Sequence, residues 1–247
     1  MKKFAKCIFL ASFCIVFFTL LPAGAEHFTE IMLPGTPYAT DVCVNTSAVP
    51  GPAVLILGGV HGNEPAGSLA AQSLCRLEIM RGILIVMPRV NRLALELRVR
   101  TLQEIGDINR AYPGNDGDTP AHQIAKAIVE VADRNSVALV IDLHEARTFH
   151  RLDRTSLGQT ILFASNMRST ELAMDAVDAI NACIAAPHRK FSLVAHPVRG
   201  SAAEYFGRNP QTAAFTIETS SQQTPEERTQ QHAFLAKFFL RREGLLQ

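Results

Sequence analysis

Short apolar runs that end abruptly in polar residues dominate the pattern of this chain. Ala53-Val54-Leu55-Ile56-Leu57 stops at two glycines, Val137-Ala138-Leu139-Val140-Ile141 stops at Asp142-Leu143-His144-Glu145, and Ala213-Ala214-Phe215-Thr216-Ile217 stops at Glu218. Runs of this length bounded by turn residues predict strands buried on both faces. Further strands are expected at Ala39–Val44, Gly82–Met87, Ile161–Ser165 and Phe191–Ala195. Helical spacing separates them. Glu64–Met80 carries Leu69, Leu74, Leu77 and several alanines, and Ser169–Ile184 has Leu172, Ala173, Ala176, Ile180 and Ile184 on one stripe. Thr119-Pro120 supplies a cap and a first-turn proline ahead of Ile124, Ile128 and Val131. Thr224-Pro225-Glu226-Glu227 opens a last helix expected to bury Phe234, Leu235, Phe238 and Phe239. Strand alternating with helix makes parallel sheets. Pro88–Asp118 breaks the rhythm and collects Arg89, Arg92, Arg98, Arg100 and Arg110, and long irregular segments in compact domains are commonly functional.

The strand ends carry the chemistry. Just past the first run, Gly58-Gly59-Val60-His61-Gly62-Asn63-Glu64 places an imidazole and a carboxylate three residues apart. Such a pair suits zinc, and a catalytic zinc needs a third protein ligand and an open position. By itself the pair is common on surface turns. His144 and Glu218, at two other strand ends, make a converging site. Asp142 shares a strand face with His144 and could orient it, or bond to neighbouring backbone. Glu145 points to the other face and reads as structural.

The order of these motifs, with Asp107-Ile108-Asn109-Arg110-Ala111-Tyr112-Pro113-Gly114 between them, resembles the zinc carboxypeptidase superfamily and its succinylglutamate desuccinylase/aspartoacylase branch. The resemblance runs from about Val54 to Phe239. It implies a single-domain α/β fold, with a mixed, mostly parallel twisted sheet and helices on both faces. It further implies one Zn2+ per chain held by His61, Glu64 and His144, with Glu218 as general base. Asn109 and Arg110 match the family's substrate-carboxylate clamp, for which a guanidinium fork is well shaped. Arg100, with Arg98 close behind, is the candidate for the arginine that polarises the scissile carbonyl. Gly200-Ser201-Ala202-Ala203-Glu204-Tyr205 is similar to the stretch preceding the base strand in carboxypeptidases. Where many of those enzymes carry a substrate-facing tyrosine, this chain has Ala195 and His196, so His196 or Arg199 is expected to substitute. His27, His122, His150, His188 and His232 fit no constellation and read as ordinary surface or satisfied histidines.

Composition narrows the class. The 247 residues suffice for one core, and a formal charge of +1 without a basic tract gives no reason to expect nucleic acid. Met1-Lys2-Lys3, an apolar run through Leu21 and Ala23-Gly24-Ala25 have the three-part form of a secretory signal. Residues 1–25 are therefore expected to be a signal peptide and 26–247 the catalytic domain, periplasmic or secreted, without stable membrane insertion. An uncleaved anchor or a lipoprotein at Cys14 are the alternatives. Export would leave Cys43, Cys75 and Cys183 in an oxidising compartment, where an odd count permits at most one bridge.

The expected function is an exported zinc-dependent amide hydrolase acting next to a carboxylate-bearing residue, with murein peptides as leading substrates. A deacylase of N-acyl amino acids is the runner-up. A non-catalytic periplasmic binder of carboxylated peptides is a rival of another class.

Overall fold

A computed structural model describes residues 25–115 and 117–247. The expected signal peptide lies outside the described residues up to position 24. Among the described residues eight strands form one sheet: β1 (Glu26–Met32), β2 (Thr40–Thr46), β3 (Ala53–Gly58), β4 (Ile83–Met87), β5 (Val137–Ala146), β6 (Thr160–Phe163), β7 (Ser192–Ala195) and β8 (Ala213–Ser220). Their order is β1-β2-β4-β3-β5-β8-β6-β7. The central four run parallel, with antiparallel pairings at β1–β2, β2–β4 and β6–β8. This is the mixed, mostly parallel sheet that the alternating pattern predicts.

The described residues also form six α-helices: α1 (Pro65–Leu74), α2 (Arg92–Leu97), α3 (Pro120–Arg134), α4 (Met167–Ala182), α5 (Ala202–Phe206) and α6 (Pro225–Arg242). From β3 the chain crosses through α1 to β4 on one side and returns past β3 to β5 through α3. Parallel crossovers are right-handed, so reversing their direction puts α1 and α3 on opposite faces. Side chains of β3 divide accordingly. Leu55 and Leu57 pack with α3 residues Ile124 and Ile128, while Val54 and Ile56 pack with Ala70, Leu74 and Phe239. Each such fully buried side chain contributes roughly 1.5–3 kcal/mol. Burial on both faces is why these strands read as unbroken apolar runs.

Several expectations need correcting. The helix expected at Glu64–Met80 ends at Leu74, where Cys75 caps it and bridges to Cys43 on β2. Leu69 is 54% exposed rather than in the core. The stretch Pro88–Asp118 contains α2 and a 3₁₀ turn at Ile108–Arg110, and α5 follows the loop at 196–201. Strand β1 was not legible, because its residues are mostly exposed at a sheet edge. Thr119 does precede α3 but makes no side-chain cap, its hydroxyl being 2.7 Å from His122 Nδ1. On α6 the capping box of Thr224 and Glu227 forms as expected, yet Phe234 is 36% exposed. Among the described residues no helix is long and apolar enough to cross a membrane.

Candidate active site

The reversal of crossover direction leaves a crevice at the carboxyl ends of β3 and β5, where open α/β sheets bind ligands. His61 and Glu64 follow β3, and His144 ends β5. Two glycines let backbone crowd this corner. A Cβ on Gly62 would stand 2.0 Å from the Ala94 carbonyl of α2, and one on Gly67 would stand 2.5 Å from the Leu143 oxygen. Helix α1 therefore lies directly on β5 beside His144, with Glu64 at its N-cap.

All three side chains are buried and their ligand atoms converge. Nδ1 of His61 is 2.8 Å from Glu64 Oε1, Nδ1 of His144 is 2.9 Å from Glu64 Oε2, and the two Nδ1 atoms are 3.1 Å apart. Ligands on a tetrahedral zinc, each about 2.0–2.1 Å from it, stand roughly 3.3 Å from one another. The nitrogen–nitrogen edge is nearly that length, each imidazole meets its own oxygen of Glu64, and nitrogen, nitrogen and carboxylate oxygen are a donor set that zinc accepts. Zinc therefore fits.

Charge at this corner agrees. Burial works against ionising Glu64, but its bonds with His144 and His61 hold it at about 2. Burial likewise disfavours a charged His144, yet Asp142 and Glu64 outweigh it and raise the imidazole well above its ordinary range. The corner thus holds positive charge between two carboxylates, which a dication would supply instead, releasing protons.

The outer nitrogen of each histidine meets an aspartate. His144 Nε2 lies 2.9 Å from Asp142 Oδ2, an ion-pair contact that is not aligned as a hydrogen bond. His61 Nε2 lies 3.1 Å from Asp107 Oδ1, which also accepts from Asn109 N. Burial opposes ionisation of Asp107, but His61, Arg110 and Arg100 hold it at about 2. Such carboxylates fix which ring nitrogen faces a metal. Of the two readings of Asp142, its carboxylate makes an ion pair with the His144 ring and no backbone hydrogen bond, whereas the contact of Asp107 with His61 was missed. Its place two residues before Asn109-Arg110 was the available signal.

Glu218 stands next to His144 across β5–β8, and its Oε2 is buried without a partner. Burial pushes its carboxyl up to about 8, with His144 opposing and Glu64 and Asp142 adding, and a dication at the corner would lower it toward the ionised form that accepts a proton. Asn109, Arg110 and Arg100 line the same cavity of about 620 Å³ as His61, Glu64 and Glu218. Asn109 is buried with Oδ1 unpartnered, and Arg110 Nη1 donates to the Asn109 carbonyl at 2.7 Å. Arg100 Nη1 donates to Glu64 Oε1 at 2.9 Å. Arg98 instead caps α2 with left-handed backbone and does not line the cavity.

Three other expectations change. His196 lies outside the cavity, 3.0 Å from Ser165 Oγ, and Arg199 does not line it either; Val198 does. Ser201 caps α5, and Gly200 at φ +75° carries the chain against Arg110 with its carbonyl accepting from Tyr112 N. The Gly200–Tyr205 stretch thus braces the clamp loop rather than touching the site. His232 is not an ordinary histidine: it is fully buried, 3.1 Å from Thr219 Oγ1, with Nδ1 unpartnered. Glu145 is structural as expected, pairing with Arg228 and accepting from Ala66 N at 2.6 Å.

Among proteins of known function, the N-alpha-acetyl-L-2,4-diaminobutyric acid deacetylase of Halomonas elongata is 33% identical over 102 residues, 38% of this chain and 28% of that protein. Among solved structures, tripeptide-bound cell shape determinant Csd4 from Helicobacter pylori superposes with TM-score 0.69 at 21% identity, over 79% of this chain and 52% of that one. A succinylglutamate desuccinylase from Silicibacter sp. TM1040 gives TM-score 0.68 at 19% identity, over 92% of this chain and 69% of that one. This chain spans little more than a quarter of the deacetylase and about half of Csd4. The family model for the succinylglutamate desuccinylase/aspartoacylase catalytic domain matches residues 50–240, and the chain belongs to that family.

Proposed function

We propose that this chain is an exported zinc-dependent hydrolase that cleaves an amide bond beside a carboxylate-bearing residue. The observation that carries it is the Nδ1–Nδ1–carboxylate triangle of His61, His144 and Glu64, with the partnerless Glu218 carboxyl on the neighbouring strand. His61, Glu64 and His144 would hold the ion, which when bound polarises the carbonyl and activates water. Asn109 and Arg110 hold the substrate carboxylate, and Arg100 lies where it can face the carbonyl oxygen. Glu218 takes a proton from the attacking water and returns it to the amine nitrogen as the C–N bond breaks, so that water is added across the amide.

Murein peptides are the leading substrate class. Similarity in fold to Csd4, described as a D,L-carboxypeptidase, supports it. So does export, for which the Cys43–Cys75 disulfide is the structural support, since such bonds persist in oxidising compartments. Deacylation of N-acyl amino acids is the second reading, favoured by the family match and the Halomonas relative. A non-catalytic binder has no need of Glu218, which here stands beside a complete ligand set.

Incubating the zinc-loaded mature chain with murein peptides and N-acyl amino acids, with products identified by mass spectrometry, separates these readings. Hydrolysis of one panel selects between the first two. Zinc uptake with no product from either would leave only the binder. Export is checked by alkylating cells before lysis: free Cys43 and Cys75 thiols in the recovered protein would refute it.

A further inference from the structure

We propose that Arg147 is a specificity-determining residue that holds a negatively charged group on the acyl side of the scissile amide. This rests on the reading of the cavity as a hydrolase site with its clamp at Asn109 and Arg110. Three arginines line that cavity, Arg100, Arg110 and Arg147. Arg100 is engaged by Glu64 and lies near Asp107. Arg147 is held loosely: its side chain is 83% exposed, and Nη2 donates one long hydrogen bond to Asp153 Oδ2 at 3.4 Å. Asp153 is itself held through Oδ1 by the backbone and hydroxyl of Thr155 at 2.9 and 2.6 Å.

The backbone beneath Arg147 is fixed while its head is not. Ser221 N donates to Ala146 O at 2.8 Å, and Ser221 Oγ donates to Arg147 O at 2.9 Å. A cation on a rigid platform, tied within the chain only by one long contact to Asp153 and set at the wall of a binding cavity, can turn to a ligand's charge. Of the acids lining the cavity, Glu64 is bonded to the two histidines and Arg100, Glu145 pairs with Arg228, and Glu218 stands beside His144 across β5–β8.

The order of the three groups assigns the side of the substrate. Arg110 comes from the 3₁₀ turn packed with α3, whereas Arg147 is the first residue past β5, the strand that carries His144. Three residues of chain put Arg147 at most about 10 Å beyond His144. With Arg100 bonded to Glu64, a substrate anchored at Arg110 by its amine-side carboxylate, its amide at the metal corner, has Arg147 as the remaining cation of the cavity for its acyl portion. The hydroxyls of Thr155 and Ser156 line the same wall.

The test uses two substrate pairs differing by one acyl-side charge: L-alanyl-γ-D-glutamyl-meso-diaminopimelate against its glutamate α-amide, and N-succinylglutamate against N-butyrylglutamate. Binding is measured by calorimetry to zinc-loaded Glu218→Gln protein with and without Arg147→Gln, and kcat/KM is measured in the otherwise unaltered chain. The charged member should be preferred roughly 10- to 100-fold, the worth of a hydrogen bond to a charged group. Arg147→Gln should abolish the preference by weakening the charged member alone, without change in zinc content or melting temperature, and Arg147→Glu should reverse it. Equal binding of both members, a preference that survives Arg147→Gln, or no binding of any of the four overturns the assignment. A binding preference without turnover would sink the hydrolase reading and leave Arg147 in its role.

Discussion

His144 and Glu218 are register partners across the parallel strands β5 and β8. Neighbouring strands lie about 4.8 Å apart and aligned residues share a face, so backbone pairing alone sets the carboxyl beside the ligand imidazole. Glu218→Gln keeps the shape and removes the proton acceptor. It should retain zinc and fold normally while kcat falls roughly 10²–10⁴-fold. Elemental analysis with steady-state kinetics checks this. A zinc-free variant would recast Glu218 as a ligand, and wild-type turnover would remove it from the mechanism.

His61→Ala or His144→Ala should lose the metal, since three protein ligands are the minimum for a catalytic zinc. Asp107→Asn should weaken zinc binding by about 10–100-fold without abolishing it, because it loosens the orientation of His61. Competition with a chromogenic chelator measures both. Unchanged affinity in the Asp107 variant would confine that residue to the loop that it caps.

Arg110→Lys preserves charge but replaces a two-pronged donor with a point charge. KM should rise strongly with a smaller change in kcat. The comparison to make is between free-acid and amidated substrates, and equal cleavage of the two by the wild type would refute the clamp.

The buried pair of Glu145 and Arg228 ties the strand carrying His144 to α6. Glu145→Ala strands a guanidinium in the interior and removes an acceptor from Ala66 N, so it should cost about 3–5 kcal/mol. Urea unfolding reads this directly. A loss under 1 kcal/mol would show that water or another acceptor replaces the carboxylate.

Burial holds His232 down at about 3, whereas an unfolded chain titrates near 6.5. Below pH 6.5 the unfolded state gains a proton that the native state refuses. Stability is therefore complete above that pH and declines, by at most about 1.4 kcal/mol per pH unit, as pH falls toward 3. His232→Gln should flatten that slope in denaturant titrations between pH 6 and 4. An unaltered slope would assign the acid sensitivity to other groups.

Much of this protein was legible because it is local. Buried strands such as Ala53–Gly58 announce themselves as apolar runs, and a polar residue at a strand end must emerge at the sheet edge, so His61, Glu64, His144 and Glu218 could be gathered from sequence. The cap and first-turn residues of α6 were equally plain. What depends on distant partners was not. The pairing of Cys43 with Cys75, the bond of Asp107 to His61 and the burial of His232 against Thr219 are contacts across 13 to 46 residues of chain. No periodicity encodes such contacts. Strand order decided them: by reversing direction at β3, the sheet places α1 and α3 on opposite faces and opens the crevice into which the strand ends deliver their side chains.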